Sequence, residues 1–339
     1  MVLVPLSGYL LAVTPDAFLD SVCASIEEAW RADGASPPSA LLRWVTDAVR
    51  QSPFLRLPLL CCQATGGDPA HAIPIAAAWH LLHCAAHLLD DVEDQSLEPP
   101  LDPARVVNWA TALTFIAQLL LLRPARWELP TARVLTLSEI FNAASLRICA
   151  AQDTDLAAGQ EGNLSLDDYW RIAVAKGGTP LALACRAGAM LGTQPQTEVD
   201  NYATFGYHLG VLVQLGDDLH ALWTPRGRGD LITAGQTLPV VYTLTVASSE
   251  ARTLLYSLLH RALDDPAALR ELQTLLSSQG ALHYLTLQAG KQHHLAREAL
   301  LSAARPAVAQ HELLKLLDAV FPAVARERWT SHSQVSSGG

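Results

Sequence analysis

The stretch Trp79–Asp94, WHLLHCAAHLLDDVED, most constrains what this 339-residue chain can fold into. Its first part is apolar, carries His80, His83 and His87, and holds no helix breaker. It ends in Asp90, Asp91, Glu93 and Asp94, four acids within five residues. A helix places positions i and i+4 on one face, so Asp90 and Asp94 project the same way, with Asp91 about 100° round from Asp90. An apolar helix ending in clustered carboxylates is costly unless the charges are solvated or meet a cation. A solvated acidic helix end is the plain reading of this stretch alone.

A second stretch changes that reading. Tyr207 to Leu215 is again apolar and helical, and it delivers Asp217 and Asp218, which begin 127 residues after Asp90. Two acid pairs on two helices can face each other across a bundle. Hard oxygen ligands in that number suit Mg²⁺, which takes one or two carboxylates, waters and substrate phosphate oxygens. Between the pairs lies Lys176, one of only three lysines in the chain, in the apolar setting Ala175-Lys176-Gly177-Gly178-Thr179. Two acid pairs, a lysine and Mg²⁺ describe a site that binds a diphosphate.

The rest of the chain favours helix. Half the residues are hydrophobic, Leu and Ala dominate, and no sustained alternating pattern marks a strand. The expectation is an all-α protein, one large helical bundle over residues 1–330 with a polar, disordered tail at 331–339. Helices are expected at Pro15–Asp33, Pro38–Gln51, Phe54–Thr65, up to Asp94, Ala104–Leu122, Thr131–Ala157, Ser165–Leu191 and Thr197–Trp223. Further helices cover Thr237–Gln310 in pieces, broken near Pro266, Gly280 and Pro306. Gly177-Gly178 and Pro180 should break or kink the Ser165–Leu191 helix.

A net charge of −10 argues against a nucleic-acid partner. No basic amphipathic stretch suggests a membrane surface, and no run makes a clean transmembrane span. The apolar start MVLVPLSGYLLAV lacks a preceding basic residue, so a signal peptide is not expected. Six cysteines in apolar surroundings, without C-x-x-C spacing, read as buried free thiols in a reducing, cytoplasmic setting. His80, His83 and His87 could bind a transition metal with Asp91, although a plain packed helix is favoured. His311-Glu312-Leu313-Leu314-Lys315 lacks the second histidine of a zinc-protease motif.

These residues also carry a resemblance. LLHCAAHLLDDVED resembles the first aspartate-rich motif of the trans-polyprenyl diphosphate synthase family, which has the class I isoprenoid/terpenoid synthase fold. Gln152-Asp153-Thr154-Asp155-Leu156 resembles its Gln-x-x-Asp-Leu element, and Lys176-Gly177-Gly178-Thr179 its Lys-Thr-Gly element. QLGDDLHAL, with Gln214, resembles the second aspartate-rich motif, and Asp230-Leu231 with Gln236–Val240 the segment after it. The resemblance implies an enzyme acting on prenyl diphosphates and Mg²⁺, three ions per site, held by Asp90, Asp91, Asp94, Asp217 and Asp218. It implies a homodimer as well. Lys176 would neutralise the leaving diphosphate, with Gln152, Gln214, Arg226 and Arg228 as further substrate contacts. Ala85 and Ala86 stand where bulky residues in the family limit tail length, so sesquiterpenoid to diterpenoid or longer substrates are expected.

The sequence departs from the family where isopentenyl diphosphate binds. A Gly-Gly-Lys-Arg-x-Arg-Pro segment is replaced by Ser52-Pro53-Phe54-Leu55-Arg56-Leu57-Pro58, which keeps only Arg56. The Arg-Arg-Gly after the first motif is replaced by Gln95–Pro100, which has no cation. Ala221 replaces the third aspartate of the second motif, and Gln236 replaces a lysine. The reading preferred from sequence is therefore a terpene synthase that cyclises or rearranges one prenyl diphosphate. Trp79, Phe115, Phe141, Phe205 and Tyr207 are candidate faces for a cation, with plain core as the alternative for each. Prenyl transfer to another acceptor, ordinary chain elongation and a non-catalytic regulatory subunit remain as alternatives.

Overall fold

The computed structural model describes residues 16–31, 34, 37–93, 97, 101–123, 129–161, 164–192, 195–223, 233–303 and 308–321. Among these residues every regular element is a helix, as the Leu- and Ala-rich composition predicts. The order is α1 (Asp16–Arg31), α2 (Ser39–Gln51), α3 (Leu57–Ala64), α4 (Pro69–Glu93), α5 (Pro103–Leu122) and α6 (Thr131–Glu161). Then come α7 (Leu166–Ala173), a π-helical turn (Val174–Gly178), α8 (Thr179–Gly192) and α9 (Gln196–Trp223). After a 3₁₀ turn (Thr233–Gln236) follow α10 (Leu238–Val246), α11 (Ser249–Ala262), α12 (Pro266–Ser278), α13 (Ala281–Ser302) and α14 (Val308–Val320).

Local sequence accounts for several ends. Ser165 caps α7 by accepting from the Asp168 N–H at 3.1 Å, and Ser248 caps α11 by accepting from Ala251 N–H at 3.3 Å. Asp265 accepts from Ala267 N–H at 2.8 Å ahead of Pro266, which opens α12 at the position proline tolerates. Between α12 and α13, Gly280 takes φ 83°, a conformation that disfavours side chains with a β-carbon. The expected break at Gly177-Gly178 takes the form of the π turn, so the chain stays helical while its phase shifts.

The chain divides into two compact units. The first comprises Met1–Arg147, Thr179–Gly206 and Glu298–Ala319, and the second Ile148–Gly178, Tyr207–Arg297 and Val320–Gly339. In the first unit α4 packs against α1, α3, α5 and α8. Its core includes Leu41, Leu57, Ile75, Trp79, Leu88 and Phe141, each almost wholly buried. A leucine so buried contributes about 2 kcal/mol. In α3 and α8 the backbones nearly touch: a β-carbon on Gly188 would collide with the main chain of Pro58. The second unit has its own core, in which Leu222, Val240, Leu255, Leu258, Leu272 and Leu276 interlock.

Three helices, α4, α5 and residues Thr131–Ala157 of α6, are long and apolar enough to cross a membrane by length and composition. This corrects the expectation that no such run exists, since the histidines and acids that seemed to interrupt α4 leave its apolar window intact. In α4 that window is 67% buried inside the protein, whereas in α6 it is 22% buried. The cysteines are free, and five are buried as expected. Cys149 is exposed, because it lies on an outward face of α6.

Candidate functional site

In the second unit a cluster forms around Asp218. Its carboxylate is 4% exposed and accepts from Tyr169 OH at 2.6 Å, Leu238 N–H at 2.7 Å and Gln214 Nε2 at 3.1 Å. Burial pushes the Asp218 carboxyl up to about 6, against the opposing pull of these three donors. Burial, then the neighbouring Asp218, drives the Tyr169 phenol well above its ordinary range. Asp217 is exposed. The two aspartates, about 100° apart on one helix, therefore differ in surroundings: α9 turns one into the protein and the other out. Gln214, expected at the substrate, gives its amide to Asp218.

Lys176 sits on the π turn, and its Nζ donates to Asp155 Oδ2 at 2.6 Å. The lysine side chain is 27% exposed and the aspartate 14%, so the pair is partly desolvated. The turn is located by main chain: a β-carbon on Gly210 of α9 would collide with Gly177 O, and one on Gly177 with Gly210 O at 2.7 Å. Asp155 belongs to the Gln152–Leu156 element, in which Gln152 is half-buried and Asp153 exposed. Neither Asp155 nor Tyr169 is among the site residues expected from sequence. Asp155 was visible in its motif, whereas nothing local marks Tyr169 as the partner of a residue 49 positions away.

In the first unit, α4 ends with Asp90 and Asp91 half-buried and Glu93 exposed. Ala85 is 3% exposed and packed, while Ala86 is exposed. Arg56 is half-buried at the start of α3, and burial lowers its guanidinium pKa while nearby Glu312 opposes the shift. Its neighbours Leu55 and Leu57 have no exposure at all. Among the aromatic candidates, Trp79, Phe141 and Phe205 are core. Phe115 is 66% exposed, which corrects its expectation as either core or cavity lining. Asp94, Arg226, Arg228 and the tail 331–339 lie outside the described residues.

The histidines of α4 separate. His80 is fully buried with Nε2 3.1 Å from Val45 O, which makes Nε2 the donor, and its Nδ1 has no hydrogen-bond partner among the described residues. Burial lowers its pKa to about 4. No group of three metal-binding side chains forms among the described residues, so the His80–His83–His87–Asp91 set is not assembled.

Comparison with known proteins places these observations. The family described as Polyprenyl synthetase matches residues 55–276. A (2E,6E)-farnesyl diphosphate synthase from Mycobacterium bovis is 27% identical over 207 residues, 58% of this chain and 58% of that protein. This chain thus matches less than two thirds of that relative's length. A short chain isoprenyl diphosphate synthase from Methanothermobacter thermautotrophicus is 27% identical over 255 residues, 72% of this chain and 78% of its own. A decaprenyl diphosphate synthase from Rhodobacter capsulatus has the same all-α fold, with a TM-score of 0.76 at 22% identity over 90% of this chain and 96% of that one.

Proposed function

We propose that this chain, which belongs to the polyprenyl synthetase family, is a prenyltransferase that elongates an allylic prenyl diphosphate with isopentenyl diphosphate. One observation carries the reading: the family match over residues 55–276 takes in Asp90, Asp91, Lys176, Asp217 and Asp218. The relatives named above, both described as prenyl diphosphate synthases, support it. Retention of the acids and the lysine also speaks against a purely regulatory subunit.

The donor chemistry fits Mg²⁺. Half-buried Asp90 and Asp91 at the end of α4, and exposed Asp217 on α9, supply hard carboxylate oxygens. When bound, Mg²⁺ supplies Lewis acidity that neutralises the departing diphosphate. Lys176 adds a fixed cation for the same oxygens. Asp218 holds the Tyr169 hydroxyl and the start of α10 in place rather than meeting ligand.

Cyclisation of a single prenyl diphosphate, preferred from the sequence alone, is the second reading. Burial of Leu55 and Leu57 favours it, because these positions fall where the family carries cations for isopentenyl diphosphate and are here spent on core. The experiment is incubation with Mg²⁺ and allylic diphosphates of several lengths, with and without isopentenyl diphosphate. A longer prenyl diphosphate formed only with isopentenyl diphosphate supports elongation. A hydrocarbon or alcohol formed from one substrate replaces it with cyclisation.

A homodimer and a cytoplasmic, non-membrane setting belong to the same proposal. Phe115, Leu119 and Leu122, at i, i+4 and i+7 on α5, are 66%, 41% and 52% exposed, and Leu135 and Leu146 of α6 are 61% and 71% exposed. Apolar surface of that extent marks an interaction face, and a second copy of the chain is its proposed occupant. Phe115→Lys with Leu119→Asp is expected to give monomers in sedimentation analysis.

A further inference from the structure

Before its aspartates, α4 carries a second set of donors. His83 Nε2 and His87 Nε2 lie 3.1 Å apart, with ring centroids 4.4 Å apart and planes at 83°. Trp79 stacks on His83 with centroids 5.2 Å apart and planes at 10°. Trp79 is itself fixed by its Nε1–H, which donates to Pro180 O at 2.8 Å. One ring of the pair is therefore held in its plane, while the other, His87, is exposed.

That spacing has a chemical meaning. Two imidazole nitrogens bound at about 2.0–2.1 Å to one ion, at angles of about 90–110°, lie about 2.9–3.4 Å apart. The observed separation falls inside this window, so little ring movement is needed for chelation. The ligating form of histidine is neutral, and burial, followed by the neighbouring His87 and His80, holds His83 well below its ordinary pKa.

We propose that His83 and His87 form a two-imidazole site for a late divalent transition ion such as Zn²⁺. No third His, Cys, Asp or Glu joins the pair among the described residues. Water completes the coordination, and the ion stays exchangeable. Imidazole suits Zn²⁺, Ni²⁺ and Cu²⁺, whereas Mg²⁺ takes oxygen ligands. The two donor sets of α4 thereby sort ions by hardness. Without the ion, the 3.1 Å contact is an N–H···N hydrogen bond between the two rings. On binding, the proton of the donor ring moves from Nε2 to its own Nδ1, so both Nε2 lone pairs face the ion and the pair releases no proton. His80 takes no part, because its Nε2 is committed to Val45 O inside the core.

Titration of ZnCl₂ into the full chain at neutral pH, with Mg²⁺ in large excess, tests the site by calorimetry. One ion per chain is expected. In His87→Gln, whose exposed position spares the fold, binding should weaken by about 100-fold or disappear. Asp90→Asn should bind Zn²⁺ as the unaltered chain does. Unchanged affinity in His87→Gln overturns the proposal, and so does loss of binding in Asp90→Asn, which would put the ion on the carboxylates. No prenyl substrate is present, so the result is independent of the proposed transfer activity.

Discussion

Lys176 Nζ lies 2.6 Å from Asp155 Oδ2, and this partly buried ion pair ties the π turn to α6. At 27% and 14% exposure the two side chains stand between a solvated pair, worth little, and a buried one, costly to break. Asp155→Asn keeps the shape and removes the charge, and is expected to cost roughly 1–3 kcal/mol in urea denaturation. A double-mutant cycle with Lys176→Met should return a coupling of the same sign. Coupling near zero would mean that the pair does not hold the turn.

The two aspartates of α9 should respond differently to substitution. Asp217→Asn removes an exposed charge and is expected to abolish prenyl transfer while shifting stability by no more than about 0.5 kcal/mol. Tyr169→Phe removes a donor from a buried carboxylate and is expected to cost about 1.5–3 kcal/mol. Unfolding curves and turnover measured on both variants separate the roles. A large stability loss in Asp217→Asn would contradict the assignment.

Acid should unfold the chain partly through His80. Its folded pKa of about 4 lies below the ordinary 6.5, so between these values the unfolded state binds the extra proton. Stability then rises with pH across that window and is lost as pH falls from about 6.5 towards 4. The contribution is about 3 kcal/mol in order of magnitude. His80→Gln, which cannot titrate, should flatten this part of the profile when stability is followed against pH. An unchanged slope would assign acid sensitivity to other groups.

Ala85 and Ala86 offer a paired test of tail length. Ala85 is packed at 3% exposure, so Ala85→Phe should overpack the first unit by about 1–3 kcal/mol. Ala86 is exposed, so Ala86→Phe should leave the unfolding midpoint almost unmoved. It should also shift preference among allylic diphosphates towards shorter chains. A folded Ala86→Phe variant with unaltered preference would show that the tail lies elsewhere.

The helices were legible because leucine and alanine fill them and proline, glycine and serine punctuate them. Expected and observed bounds agree within a residue or so for Ser39–Gln51, Pro103–Leu122 and Gln196–Trp223. The break at Ala247-Ser248 was missed because no glycine or proline marks it, and only Ser248 signals the cap. The acids and Lys176 stood out in the sequence by residue type and spacing. The contrasting surroundings of Asp217 and Asp218 did not, since those of Asp218 are set by Tyr169 and the Leu238 N–H, groups remote in sequence. The three histidines of α4 looked equivalent by spacing. What separates them is contact with α2: Val45 O draws His80 into the core and leaves His83 and His87 to each other.

The close approach of Gly177 and Gly210 sets a distance that no side chain mediates. Packing through side chains has slack, because rotamers can take up a methylene gained or lost. Two bare backbones in contact have none. The height of Lys176 above α9 is consequently a property of the main chain, insensitive to drift in the surrounding core. A single methyl group at position 210 would act as a shim, displacing the turn that carries the cation without altering Lys176 itself.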